Sequence, residues 1–166
     1  MSKTIIITGA AKGIGRAIAK DFAYSGYNVC VNYNTSEKEA KELCEELAKA
    51  GCSVIIYKAD ITKREEVDKM VDYVIGTFGN IDVLVNNAGI SEYKLFVDIS
   101  QQELERMLNV NILGTFNMTQ SVLKKSMLPR KDGTIINISS IWGMVGASLE
   151  VAYSTSKAAI IGMSKA

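Results

Sequence analysis

Short apolar runs recur along the chain, and between them the apolar positions change to a helical spacing. Five runs stand out: Ile5-Ile6-Ile7, Val29-Cys30-Val31, Val54 to Tyr57, Val83-Leu84-Val85 and Ile135 to Ile138. They are short, rich in β-branched residues and hardly interrupted by polar ones, which is the pattern of strands buried on both faces. Ala17, Ile18 and Phe22, then Ala40, Leu43, Cys44 and Leu47, then Val67, Met70, Val71, Val74 and Phe78 fall at the spacing of one helix face. Strand and helix therefore alternate, and that alternation predicts a doubly wound parallel sheet in a three-layer α/β/α sandwich. In such a sheet ligands bind at the carboxyl ends of the strands.

Polar residues mark where the helices begin. Ser36-x-x-Glu39, Thr62-x-x-Glu65 and Ser100-x-x-Glu103 each have the form of a capping box, in which hydroxyl and carboxylate satisfy otherwise unpaired backbone donors. A long helical stretch runs from about Gln101 to Met127, and Pro129 is expected to stop it before Asp132-Gly133 turns into the fifth strand. No composition shift or low-complexity linker divides the 166 residues, so residues 1–166 are expected to form a single domain.

Composition narrows the chemistry. Lys plus Arg number 19 against 18 Asp plus Glu, scattered rather than blocked, which leaves no electrostatic footprint for nucleic acid or an anionic membrane. The expected partner is a small molecule. Cys30, Cys44 and Cys52 are odd in number and form no C-x-x-C pair, so they are expected to be reduced and mostly buried thiols rather than disulfides or metal ligands. The start Met1-Ser2-Lys3-Thr4 runs into an apolar segment too brief for a signal peptide, and nothing later approaches a membrane span; the expected location is cytoplasmic. The chain has no histidine, which removes Ser-His-Asp and Cys-His catalysis and most zinc chemistry within these residues. Acid-base work must fall to Tyr, Lys, Asp or Glu.

The first strand ends in Thr8-Gly9-Ala10-Ala11-Lys12-Gly13-Ile14-Gly15 and leads directly into a helix. Glycines there allow a tight turn and close approach to a pyrophosphate, and the helix N-terminus offers N–H groups and a positive dipole end. A dinucleotide site is expected. The second strand ends in Asn32-Tyr33-Asn34, without the acid that usually takes the ribose hydroxyls of NAD. Lys12 is placed to meet a 2′-phosphate, so NADPH (NADP+) is favoured over NADH; a solvated loop lysine is the competing reading.

Farther on, Ser139-Ser140 end the fifth strand and Tyr153-Ser154-Thr155-Ser156-Lys157 open a helix. The i, i+4 spacing puts Tyr153 and Lys157 on one face, where the ammonium stabilises a phenolate. A phenol titrates near pH ~10, so acid-base work near neutrality needs a drop of roughly 2–3 units. Alone, such a pair is more often ordinary helix packing. Together with the glycine loop and Asn86-Asn87-Ala88-Gly89 after the fourth strand it is not.

In these three motifs, T-G-x-x-x-G-I-G, N-N-A-G and Y-x-x-x-K, the whole chain strongly resembles the short-chain dehydrogenase/reductase family. The resemblance implies a Rossmann-type fold and a carbonyl reductase in which Ser140 orients and polarises the substrate carbonyl and Tyr153 donates the proton. Lys157 then lowers the Tyr153 pKa and holds the nicotinamide ribose. It implies that Asn111 supports a water relay to the lysine, with Asn109 the nearest rival for that role. It places Gly9, Lys12, Gly13, Ile14, Gly15, Asp60, Ile61, Asn86, Ala88 and Gly89 at the cofactor, Asp60 on the adenine side, although Asp60 is equally a routine turn residue and Asn86 and Asn87 equally structural.

Within the family the Val31-Asn32-Tyr33 strand end and Ile135 to Ser140 are most similar to bacterial 3-oxoacyl-[acyl-carrier-protein] reductases of fatty acid biosynthesis, which implies a 3-oxoacyl thioester substrate. Ile90 to Phe96 and Ser139-Ser140-Ile141-Trp142-Gly143 depart from that group. With Gly146-Ala147-Ser148-Leu149-Glu150-Val151, the second segment resembles reductases that complete an aminopentanone modification on elongation factor P. Trp142 is equally a packing anchor. Members of the family continue through two further strands and a substrate loop, so the chain is expected to be C-terminally incomplete and to lack the last strands of the usual fold. A non-catalytic dinucleotide-binding fragment is therefore a third expectation, and a homodimer or homotetramer is implied for the complete protein.

Overall fold

The computed structural model describes residues 2–166; Met1 lies outside the described residues. Five parallel strands form one sheet in the order β3-β2-β1-β4-β5. They are β1 (Thr4–Ile7), β2 (Asn28–Tyr33), β3 (Val54–Lys58), β4 (Val83–Asn86) and β5 (Thr134–Asn137). All five apolar runs are strands, in register Ile6↔Cys30, Cys30↔Ile55, Ile6↔Leu84 and Leu84↔Ile135. Burial on both faces holds for β1, β4 and nearly all of β2. The outer strands β3 and β5 are only half-buried, because each has a neighbour on one side alone.

Successive side chains of a strand point to opposite faces, and the core divides accordingly. Ile5, Ile7, Val29 and Val31 pack under α1 (Gly13–Tyr24) and α2 (Glu37–Lys49), through Ala19, Ala23, Ala40, Leu43 and Leu47. Ile6, Cys30 and Leu84 face α3 (Arg64–Phe78) and the long helix after β4, through Val67, Met70, Val74, Met118 and Val122. The predicted three layers are thus present.

That long helix spans residues 101–130 as α4 (Gln101–Leu108), α5 (Gly114–Val122) and α6 (Leu128–Arg130), joined by π-helical segments Asn109–Leu113 and Leu123–Met127. Pro129 stands where the helix stops, before Asp132-Gly133, as expected. It sits inside the last turn, next to a π segment that widens the hydrogen-bonding pattern, and the helix ends at Lys131 in the left-handed conformation. Two helices follow β5: the short α7 (Trp142–Val145) and the 15-residue α8 (Val151–Lys165).

Of the three predicted capping boxes only Ser100 and Glu103 form one. At Ser36 the side chain makes no cap bond, and Glu39 instead pairs with Lys12 at 2.7 Å. At Thr62 the backbone and hydroxyl donate to Asp60 Oδ1, so the chain makes a turn there and α3 begins two residues later. Both failures have one cause: a stronger acceptor or a charged partner lay within reach.

Candidate active site

The carboxyl ends of β1 and β4 part where the strand order reverses, and a cleft of about 1030 Å³ opens there. Gly9, Lys12, Gly13 and Ile14 line it from the first loop, Asp60 and Ile61 from the end of β3, and Ala88 and Gly89 from the end of β4. Gly15 does not reach the cleft. A Cβ on it would stand 2.5 Å from Asn87 Nδ2 and 2.9 Å from backbone atoms of the same loop, so this glycine serves close packing. Gly9 has φ +62°, and a Cβ there would lie 3.0 Å from the Ala88 Cα. Gly13, at φ +55°, faces open space.

Asn87 and Thr8 bind the two loops to each other. Thr8 Oγ1 accepts from the backbone N–H of Asn87 and of Ala88, both at 3.0 Å, while Asn87 Nδ2 donates to the carbonyls of Thr8 and Gly9. Asn86 turns away from the cleft. Its buried amide donates to Asn137 Oδ1 at 2.8 Å and Thr119 Oγ1 at 3.0 Å, which makes it a brace between β4, β5 and α5 rather than a lining residue. Alternation along the strand decides this, since Asn86 and Asn87 must point to opposite faces.

Helix α1 presents a bare N-terminus to the cleft. Its N-cap Lys12 makes no side-chain cap bond and its first turn holds no acid, so the N–H groups and the positive dipole end suit an anionic ligand. At the end of β2, Asn32 is consumed internally: its Oδ1 accepts from Gly9 N–H and its Nδ2 donates to the Ala59 carbonyl. Asp60 lines the cleft while its Oδ1 holds Thr62, so the turn reading and the cleft reading of this residue coexist.

Lys157 and Asn111 come together on the far side of β4. Lys157 is 5% exposed, donates to the Ile138 carbonyl at 2.8 Å, and lies 5.7 Å from the centre of the Tyr153 ring. A Cβ on Gly89 would stand 3.2 Å from Asn111 Oδ1 and 3.5 Å from Lys157 Nζ, so all three groups meet at one point. Asn111, inside the first π segment, accepts from Ile90 N–H at 2.8 Å and donates to the Ile90 carbonyl and to Ser156 Oγ, both at 2.9 Å. Ser156 Oγ in turn donates to the Tyr153 carbonyl at 2.7 Å. Asn109, the rival candidate, lines the cleft instead.

Ser140 is half-buried after β5, its Oγ accepting from Trp142 N–H at 3.2 Å. Its neighbour Ser139 donates to the Lys157 carbonyl at 2.8 Å, and a Cβ on Gly143 would stand 2.6 Å from the same carbonyl carbon. The segment bearing Ser140 is thereby clamped onto α8, one turn from Tyr153. The sequence assigns no role to Ser139, Gly143 or Ser156, because each meets a backbone atom of α8, which leaves no spacing to detect.

Burial holds the Lys157 ammonium below the ordinary lysine range. Because the unfolded chain keeps its proton to higher pH than the folded one, this lysine opposes folding below its folded pKa, and the penalty fades as pH rises toward the ordinary value of about 10.4. Urea unfolding of the wild type and Lys157→Met at pH 7 and pH 10 is expected to show the wild type gaining on the variant at the higher pH. A difference unaffected by pH would contradict this account.

Cys30 is buried, its thiol pushed up to about 12 by burial, while Cys44 and Cys52 are half-buried; none is in a disulfide. No metal-binding group of His, Cys, Asp or Glu is present among the described residues, and no described helix is long and apolar enough to cross a membrane.

Residues 3–166 match the family model described as short chain dehydrogenase. The chain belongs to the short-chain dehydrogenase family. It is 40% identical over 165 residues to the 3-oxoacyl-[acyl-carrier-protein] reductase FabG of Staphylococcus epidermidis, covering 99% of this chain and 67% of that protein. The enzyme of the same name from Aquifex aeolicus is 40% identical over 164 residues, covering 98% and 65%. Among solved structures, actinorhodin polyketide ketoreductase F189W with NADPH superposes with a TM-score of 0.95 at 32% identity, covering 99% of this chain and 63% of that one. ElxO with NADP bound gives 0.89 at 36% identity, covering 98% and 65%. The chain thus spans about two thirds of the length of these short-chain dehydrogenase relatives.

Proposed function

We propose that the protein is an NADPH-dependent ketone reductase, with Tyr153 as proton donor, Lys157 as its electrostatic partner and Ser140 as the carbonyl-binding hydroxyl. The carrying observation is the meeting of Lys157, Asn111 and Gly89 beside a cleft that a bare helix N-terminus faces. Gly9, Lys12, Gly13, Ile14, Asp60, Ile61, Ala88 and Gly89 would hold the dinucleotide, and NADPH when bound supplies the hydride. Gly15 and Asn86 act behind the cleft as packing and brace. Lys12 is the residue to meet the 2′-phosphate, since Tyr33, Asn34, Thr35 and Ser36 line that end without a carboxylate among them.

Tyr153 would give its phenolic proton to the carbonyl oxygen, with the Lys157 ammonium 5.7 Å from the ring centre to balance the charge left behind, and would take up a proton again from water on the Lys157 and Asn111 side. The likeness to the FabG reductases supports a 3-oxoacyl thioester as the ketone. Leu104, Leu113 and Phe116 on the outer side of the 101–130 helix are partly exposed, which supports pairing of two copies through that face. Three cysteines outside any disulfide fit a cytoplasmic setting.

One observation favours a second ketone. Glu150, three residues before Tyr153, is 4% exposed, and its Oε2 has no hydrogen-bond partner. The Tyr93 phenol lies near enough for the Glu150 charge to push its pKa up. Lys94, whose backbone N–H donates to the Leu149 carbonyl, spends its ammonium on Glu103. A buried carboxylate without a cation is costly, and an amino-ketone brings the missing ammonium.

NADPH oxidation by the full-length protein with acetoacetyl thioesters and short amino-ketones separates the two. Glu150→Gln is expected to cut kcat/KM for an amino-ketone by about tenfold or more while sparing the thioester, about the loss of one charge-assisted hydrogen bond. Turnover of neither class would remove the reductase reading and leave dinucleotide binding without catalysis.

A further inference from the structure

Lys12, the cation among the described residues that lines the 2′-phosphate end of the cleft, is already occupied. Its Nζ lies 2.7 Å from Glu39 Oε1, and that bond is the largest influence lowering the Glu39 pKa. Of the other cations near Glu39, Lys38 contributes its charge from the adjacent position, while Arg16 faces elsewhere: it donates to the Glu39 carbonyl and pairs with the Glu46 carboxylate, which also holds Lys20. A 2′-phosphate arriving at Lys12 therefore meets a carboxylate that must withdraw.

The same carboxylate has a second place to go. Glu39 stands three residues after Ser36, the N-cap of α2, and the capping box that this spacing permits is not made. Released from Lys12, Glu39 can accept from the Ser36 backbone N–H and complete it, at the helix end where a negative charge is favoured.

We propose that Glu39 is a specificity-determining residue, an internal counter-ion that competes with the 2′-phosphate for Lys12 and moves to the α2 cap when the phosphate binds. The pair costs NADPH part of its affinity and costs NADH nothing, so Glu39 narrows the preference that Lys12 confers. This rests on the reading of Lys12 as the 2′-phosphate residue.

Glu39→Gln removes the charge and retains a side chain that can serve a capping box, so the fold is preserved. Titration of the full-length protein with NADPH and NADH is expected to show the variant binding NADPH about two- to fivefold more tightly, in keeping with an exposed ion pair, with NADH changed by less than about 1.5-fold. A crystal structure with NADP+ is expected to show Lys12 apart from Glu39, and Glu39 within hydrogen-bond distance of Ser36 N. Equal shifts for the two dinucleotides, or a Lys12–Glu39 pair intact beside bound NADP+, would overturn the proposal while the Lys12 reading stood. A wild type with no preference for NADPH, unchanged by Lys12→Ala, would remove both.

Discussion

Tyr153→Phe is expected to lower kcat by about three orders of magnitude with the preferred ketone, while NADPH affinity and thermal stability stay near wild type. The magnitude is that of removing a positioned general acid, for which losses of about 10²–10⁴ are usual. The substitution leaves the ring beside Lys157 and the α8 backbone, including the Tyr153 carbonyl that Ser156 holds, untouched. Steady-state kinetics with an NADPH titration on the same sample checks it. A rate within tenfold of wild type would mean that another group delivers the proton.

Asn111→Leu should do the opposite and damage stability first. The leucine fills a similar volume but strands both the N–H and the carbonyl of Ile90, and releases Ser156. An unpaired buried backbone group costs about 1–3 kcal/mol and these two are half-buried, so a loss of about 2 kcal/mol is expected, or a fall in Tm of about 6 °C for a domain of this size. Activity should fall as well, because the segment at Gly89 and Ile90 and the helix bearing Tyr153 are joined through this one amide. Urea unfolding reads the first effect. A loss under about 1 kcal/mol would show that water replaces the bonds.

These two residues also mark how far the sequence could be read. The five strands were legible because a buried parallel sheet demands uninterrupted apolar runs, and the order of Ser140, Tyr153 and Lys157 along the chain is what puts them forward for the proposed site. What stayed hidden depends on competition between partners. Ser36 and Thr62 each have the capping spacing, yet Lys12 draws Glu39 away and Asp60 draws Thr62 away. Pro129 marks the helix end to within a residue, but the π segments inside the same stretch leave no sign in the letters. Asn86 and Asn87 are identical letters on opposite faces, and only the register of β4 against β5 tells which one braces the sheet.

The widened turn at Asn109–Leu113 has a consequence for descent. Such a turn carries one residue more than regular winding needs, so an in-frame loss of one codon there returns the helix to ordinary pitch and leaves the remainder of its inward stripe in phase. The fold survives, but the asparagine that links Ile90 to α8 loses its position. On the reductase reading, a single-codon gap at this turn would be one route among descendants of such a gene from turnover to dinucleotide retention alone. A genome would display it as one missing triplet beside three intact motifs.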